Sequence, residues 1–296
     1  MNVVKLFSKL SADLQKVRPE SSAAVVCPLC LDVFLSTDGL SIEHVLTSKL
    51  GGTTTTLTCR RCNNSQGSKF DAQLVAGTRA DEALEGLGSL KGTLHNSHGP
   101  LAFNYMVGKG TADNCNTFTL VAKACDPRAI DPSLRELHDG ATLNVTFDYD
   151  FVPERYWAGA IRSAYLAAFT VRGYAYVYSA GGAQVRNVLD GKAPVPQYAV
   201  MAAYPEAEPP SELLVMSGDY PSLVMVLLRL VGKQTRYLNI FLPSEVGLDW
   251  DVLKPFQRSA GRLKVETTPE TWTEKLVVHL DLDPATQIHS GRRRPF

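Results

Sequence analysis

The stretch that decides the fold runs Cys27-Pro28-Leu29-Cys30, then Glu43-His44-Val45-Leu46, then Leu50-Gly51-Gly52, then Leu57-Thr58-Cys59-Arg60-Arg61-Cys62-Asn63. A Cys-x-x-Cys turn points two sulfurs at one ion, and two such turns complete a four-thiolate cage of the tetrahedral zinc type. Cys27, Cys30, Cys59 and Cys62 are therefore the expected ligands of a structural zinc ion. The bland alternatives are two disulfides or a redox pair, but thioredoxin-like chemistry needs one pair, not two. Six cysteines in 296 residues are also too few for a disulfide-built scaffold. Cys115 and Cys125 stand apart and read as small buried apolar residues. The start, Met1-Asn2-Val3-Val4-Lys5-Leu6-Phe7, has no long apolar run and no small-residue cleavage site. A reducing, cytoplasmic setting is expected.

Between the knuckles, Ile42 to Leu46 is a short β-type run around two polar residues, and Gly51-Gly52 is a turn signal. A threonine-rich segment leads into the second knuckle. From Arg61 to about Val75 the chain reads as helical, with Asn63, Gly67, Phe70 and Leu74 on one stripe. The expected order is strand, turn, strand, knuckle, helix, wrapped around zinc.

These residues, over positions 25 to 72, resemble the HNH endonucleases with their ββα-metal fold. The resemblance implies roles residue by residue. His44 matches the family's general base, which deprotonates water for attack on a phosphodiester. Glu43 matches the acidic residue that holds a catalytic divalent metal, magnesium or manganese. Asn63 matches the last letter of the motif, a metal ligand. The cysteines hold structural zinc and do no chemistry. The chain departs from the pattern at Thr47, where the family usually has proline, and at about Thr56, where the middle Asn falls, so the motif reads His-Thr-Asn.

The chemistry is coherent on its own terms. One divalent ion can neutralise a phosphate oxygen and stabilise the leaving oxygen. A neutral imidazole, with a reference pKa of about 6.5, suits general-base work at neutral pH. Oxygen donors such as Glu43 and the Asn63 amide suit magnesium or manganese, not zinc. Adjacent strand residues face opposite sides, so Glu43 and His44 can serve one site only if the strand ends or bends there. Each residue also has a plainer reading. His44 could be a hydrogen-bonded histidine on a half-buried strand, Glu43 an exposed charge, and Asn63 a helix cap. Gly67 could permit close approach of backbone or nucleic acid.

Lys plus Arg and Asp plus Glu each number 30, so there is no global positive field of the kind a sequence-independent DNA binder shows. Any basic surface must be local. Candidates are Lys49, Arg60, Arg61 and Lys69, which could touch phosphates or form a solvated face, and the tail Arg292-Arg293-Arg294. The expected partner is nucleic acid, DNA ahead of RNA, with no membrane. A homodimer or a protein partner stays open.

Elsewhere, residues 3 to 18 read as an amphipathic helix through Val3, Phe7, Leu10, Leu14 and Val17. Residues 77 to 100, including His95 and His98, read as a surface loop. Strands are expected at 101–106, 117–123, 142–151, 197–203, 212–216, 222–230, 235–242 and 275–281. Residues 154 to 172 read as a buried helix stopped by Gly173, with a strand at Tyr174 to Tyr178. The run 222–230 is too short for a bilayer and carries a charge. There is no Gly-rich phosphate loop and no repeat. The expected fold is α+β. It comprises an N-terminal helix (1–20), a zinc-stabilised ββα-metal module (21–76), a linker (77–99) and a larger α+β domain (100–296) of unassigned role. The alternative to a nuclease is a non-catalytic zinc module that binds nucleic acid or a protein.

Overall fold

Leu6, Leu10 and Leu14, spaced four apart, fall on one face of helix α1 (Val3–Val17), and all three are buried. The first amides of a helix have no partner within it. Here the Lys5 N–H donates to Asn2 Oδ1 at 2.9 Å, a cap that contributes about 1 kcal/mol. The computed structural model describes residues 2–21, 23–96, 99–109, 116–122, 144–148, 151–203, 209, 213–217, 223–248 and 250–253. Cys115, Cys125, His98, the expected strand at 275–281 and the Arg292–Arg294 tail lie outside the described residues.

Strands β1 (Val25–Val26) and β2 (Val33–Phe34) form a two-stranded antiparallel ribbon that carries the first knuckle. Strands β3 (Leu40–His44) and β4 (Thr55–Cys59) pair antiparallel, from Leu40 opposite Cys59 to His44 opposite Thr55. A 3₁₀ turn at Ser48–Leu50 and the Gly51-Gly52 pair connect them. Gly51 has φ +84°, and a Cβ on Gly52 would stand 1.8 Å from the Leu46 carbonyl oxygen. No side chain fits there, which is why the turn signal is a glycine pair.

Thr47 opens this connection with φ −52° and ψ 136°. That φ is one the proline ring enforces, so threonine holds the bend without the ring. Thr47→Pro should therefore stabilise the protein by about 0.4–1 kcal/mol through the unfolded chain. A denaturant midpoint that falls would count against this reading of the loop.

The helix after the second knuckle is longer than the sequence pattern suggests. Helix α2 (Arg60–Gln66) runs through one π turn at Gly67–Asp71 into helix α3 (Ala72–Leu84). Strand β5 (Leu90–Asn96) follows. The expected loop at 77–99 is thus helix and strand over much of its length. The physical reason is tertiary: Glu82, which looks like a surface charge, is buried, and its carboxylate accepts the Lys233 and Gln234 backbone N–H groups. The His95 ring is hydrogen-bonded to Thr146 Oγ1 at 2.9 Å within the sheet. Strands β6 (Gly99–Lys109), β7 (Asn116–Ala122) and β8 (Asn144–Asp148) complete an antiparallel sheet of order β7-β6-β5-β8.

Helix α4 (Pro153–Val177) is the centre of the molecule, and every residue from Ala158 to Phe169 is buried. A helix apolar all round must be covered on all sides. One hydrophobic cluster joins it to the cysteine-knuckle module, through Cys27, Val45, Leu46, Phe70 and Leu74, and to the second sheet. That sheet has order β10-β11-β12-β9, from β9 (Val200–Ala203), β10 (Leu213–Ser217), β11 (Leu223–Val231) and β12 (Thr235–Pro243). Val224, Val226 and Leu228 face α4, while Met225 and Leu227 enter a second cluster on the other face. Burial on both faces explains the unbroken apolar run.

Gly173 interrupts α4 with φ +65°. The stretch after it is not the expected strand but a further helical turn ending at Val177. The Tyr174 N–H donates to Asp13 Oδ2 at 2.8 Å, and Tyr174 Oη and the Val26 backbone are hydrogen-bonded in both directions. These contacts to α1 and β1 outweigh the alternating tyrosine pattern. Helix α5 (Ala180–Leu189) then packs beside β12. Among the described residues, no helix is long and apolar enough to cross a membrane.

Candidate active site and metal centre

The four knuckle sulfurs, of Cys27, Cys30, Cys59 and Cys62, lie within 4.8 Å of one another. All four residues are free cysteines. The Cys30 and Cys59 sulfurs are 3.7 Å apart, close to the edge of about 3.8 Å that a tetrahedron of Zn–S bonds about 2.3 Å long requires. The backbone shapes the cage. Leu31 adopts φ +65° to close the first turn, the Cys59 N–H donates to Cys27 Sγ at 3.4 Å, and the Cys62 N–H donates to Cys59 Sγ at 3.3 Å. The second of these bonds also caps α2. The Cys30 contact pulls the Cys27 thiol down, but the Cys62 contact and burial outweigh it and push Cys27 up to about 12. Sulfurs this crowded cannot all be thiolates unless a cation neutralises them. The quartet is therefore compatible with structural zinc.

Glu43 and His44 close strand β3 and part company there. Glu43 is 3 % exposed, whereas His44, the last residue of the strand, is exposed. Opposite Glu43 in the ladder stands Thr56, itself buried. The Asn63 side chain, on α2, donates to Ser41 Oγ at 3.0 Å and to the Ile42 carbonyl at 3.1 Å. It is therefore tied to the strand just ahead of Glu43.

The sequence reading missed a residue from the far part of the chain. Arg162, at the middle of α4, is 0 % exposed. Its Nη2 lies 2.9 Å from Glu43 Oε1, an ion contact not aligned as a hydrogen bond. Its Nη1 donates to Asp71 Oδ1 at 2.9 Å, and its Nε donates to Gln66 Oε1 at 3.1 Å. Burial pushes the Asp71 carboxyl up to about 6, with Arg162 drawing it down, Glu43 adding to the rise and His44 opposing it. Glu43 and His44 both act on Asp71, although their side chains differ in exposure. Among the described residues, the cysteine quartet is the one group of three or more His, Cys, Asp or Glu side chains with ligand atoms so close together. Two signals in the sequence could have exposed the network. Asp71 falls on the Asn63–Gly67 stripe, and Arg162 is a charge inside an otherwise buried helix, which needs a partner.

The basic candidates differ in their surroundings. Lys49 and Arg60 are exposed. Arg61 is paired with Asp32 at 2.9 Å, and Lys69 lies over the Phe70 ring. A groove of about 730 Å³, lined by Lys9, Lys16, Asp13 and Thr53 to Thr56, runs between α1 and β4. It includes Thr55, which pairs with His44.

Residues 27–77 match the family model described as HNH endonuclease. The cysteine-knuckle module, with its strand–turn–strand–helix order, is thus similar to the HNH endonucleases over these residues. No curated protein and no solved structure matches the chain.

Proposed function

We propose that the chain is a divalent-metal-dependent HNH endonuclease that hydrolyses phosphodiester bonds, in DNA ahead of RNA. The observation that carries the reading is the buried Glu43 carboxylate, whose Oε2 has no hydrogen-bond partner, beside an Asn63 side chain anchored to the same strand. Burying an unpaired carboxylate oxygen is costly, and a hard cation is the partner that offsets it. Glu43 and Asn63 offer the carboxylate and amide oxygens that magnesium or manganese take, and the donor set fits that group. When bound, such an ion neutralises charge on a scissile phosphate.

The remaining work belongs to the chain. His44, exposed at the end of β3, takes a proton from the attacking water. Asn63 fixes the end of β3 through Ser41 and Ile42. Arg162 compensates the charge of Glu43. The second region supplies targeting or regulation, and Lys49, Arg60 and Lys69 are available to phosphates. The chemistry is assigned to residues 21–76 and the cytoplasm is the proposed compartment.

The test uses zinc-loaded protein, with magnesium or manganese, on end-labelled DNA and RNA of one sequence. Denaturing gels should show cleaved DNA and less cleaved RNA. Binding of either strand with no product from either would leave the non-catalytic zinc module as the better account.

A further inference from the structure

Arg162 holds two carboxylates at once, and a single guanidinium balances only one. With Glu43 and Asp71 both ionised, the buried group carries an excess negative charge. Arg162 also engages one oxygen of each carboxylate, Glu43 Oε1 and Asp71 Oδ1, which leaves a second oxygen on each. Glu43 Oε2 is buried and without a hydrogen-bond partner, on a side chain that is 4 % exposed. Asp71 Oδ2 and Asn63 Oδ1 lie 3.8 and 3.9 Å from the point a Cβ on Gly67 would occupy. Both oxygens thus face the bare side of Gly67, one helical turn from each.

We infer that Asp71 is a third oxygen donor of the hard-cation site, alongside Glu43 and Asn63, and that Arg162 is the positioning residue that holds both carboxylates in place. The inference rests on the hard-cation reading proposed above and adds two residues to it. It also gives the second region a direct task. Arg162 arrives on α4, 91 residues beyond Asp71, so the site is complete only when α4 is docked. If Asp71 served merely as a counter-ion for Arg162, the amide oxygen of an Asn at position 71 could still accept the Arg162 N–H, and cation binding would not change.

The experiment is calorimetric titration of manganese into the zinc-loaded full chain, without nucleic acid. Manganese does not displace zinc from thiolates. The parent should bind one manganese ion, and Asp71→Asn should weaken that binding about tenfold or more, as residues that orient or join a metal site do. Arg162→Lys, which keeps the charge but not the two-armed grip, should weaken it in the same direction. Gly67→Ala is the second arm if Asp71→Asn does not fold. Its helical φ of −59° accepts alanine, and its methyl would stand in ordinary contact, 3.8 and 3.9 Å, with the Asp71 and Asn63 oxygens, filling the space a cation would share with them. Manganese affinity equal to the parent's in Asp71→Asn, or in Gly67→Ala where the first variant does not fold, overturns the inference alone. A parent that binds no manganese removes the hard-cation reading and this one together.

Discussion

Replacing His44 by alanine is expected to slow DNA cleavage by roughly 10²–10⁴-fold, the usual worth of a positioned general base. Zinc content and melting temperature should stay at the parent's values. The separation is possible because His44 is exposed at the end of β3, and substitutions at such positions usually stay within about 0.5 kcal/mol. Single-turnover rates, zinc analysis and thermal melts on the same preparations check all three. Cleavage at the parent's rate would take the base role away from His44. A lowered melting temperature would mean that the imidazole is a packing residue.

Cys62→Ser is expected to have the opposite profile. Binding at structural zinc sites is coupled to folding and is worth about 10–16 kcal/mol in isolated fingers. Loss of one thiolate should empty the cage. The damage should spread, because Cys27, Cys59 and Cys62 pack in the same hydrophobic cluster as the centre of α4 and the sheet behind it. Tyr165 Oη, from α4, donates to the Pro28 carbonyl inside the first knuckle at 2.7 Å, so the knuckle and the central helix are tied directly. The expected result is substoichiometric zinc and a broadened, low-temperature unfolding transition, reproduced in the parent by a strong chelator. A zinc-free variant that melts cooperatively at the parent's temperature would show that the metal is dispensable to the fold.

The parts of this molecule that could be read from sequence are those whose causes are local. Two cysteine pairs and a glycine pair with no room for a Cβ are each written within a few residues, whereas the β-type run expected at Ile42 to Leu46 lies two residues earlier, at Leu40–His44. The structure joins them as the spacing suggests. Neighbouring residues on β3 do point apart. Glu43 goes inward and His44 outward at the strand's last two positions, and Val45 and Leu46 turn back into the core. What the sequence hid is long-range. Asp71 and Arg162 reach each other across 91 positions, and no window of neighbouring residues records that. Glu82, inside the stretch expected to be a surface loop, is buried because the β11–β12 hairpin places two backbone amides on its carboxylate. Tyr174 to Tyr178 alternated like a strand, yet hydrogen bonds to Asp13 and Val26 kept that stretch a helical turn. Local pattern yields to tertiary partners where buried polar groups must be satisfied.

The central claim is that a thiolate-held module brings an imidazole and hard oxygen donors together to cut a phosphodiester. The most direct measurement is nicking of supercoiled plasmid by zinc-loaded protein, parent and His44→Ala side by side, as manganese or magnesium is titrated in. Nicked and then linear DNA that rises with the cation in the parent and is absent from the variant is the predicted result. No nicking at any cation concentration, or equal nicking by both proteins, would contradict it.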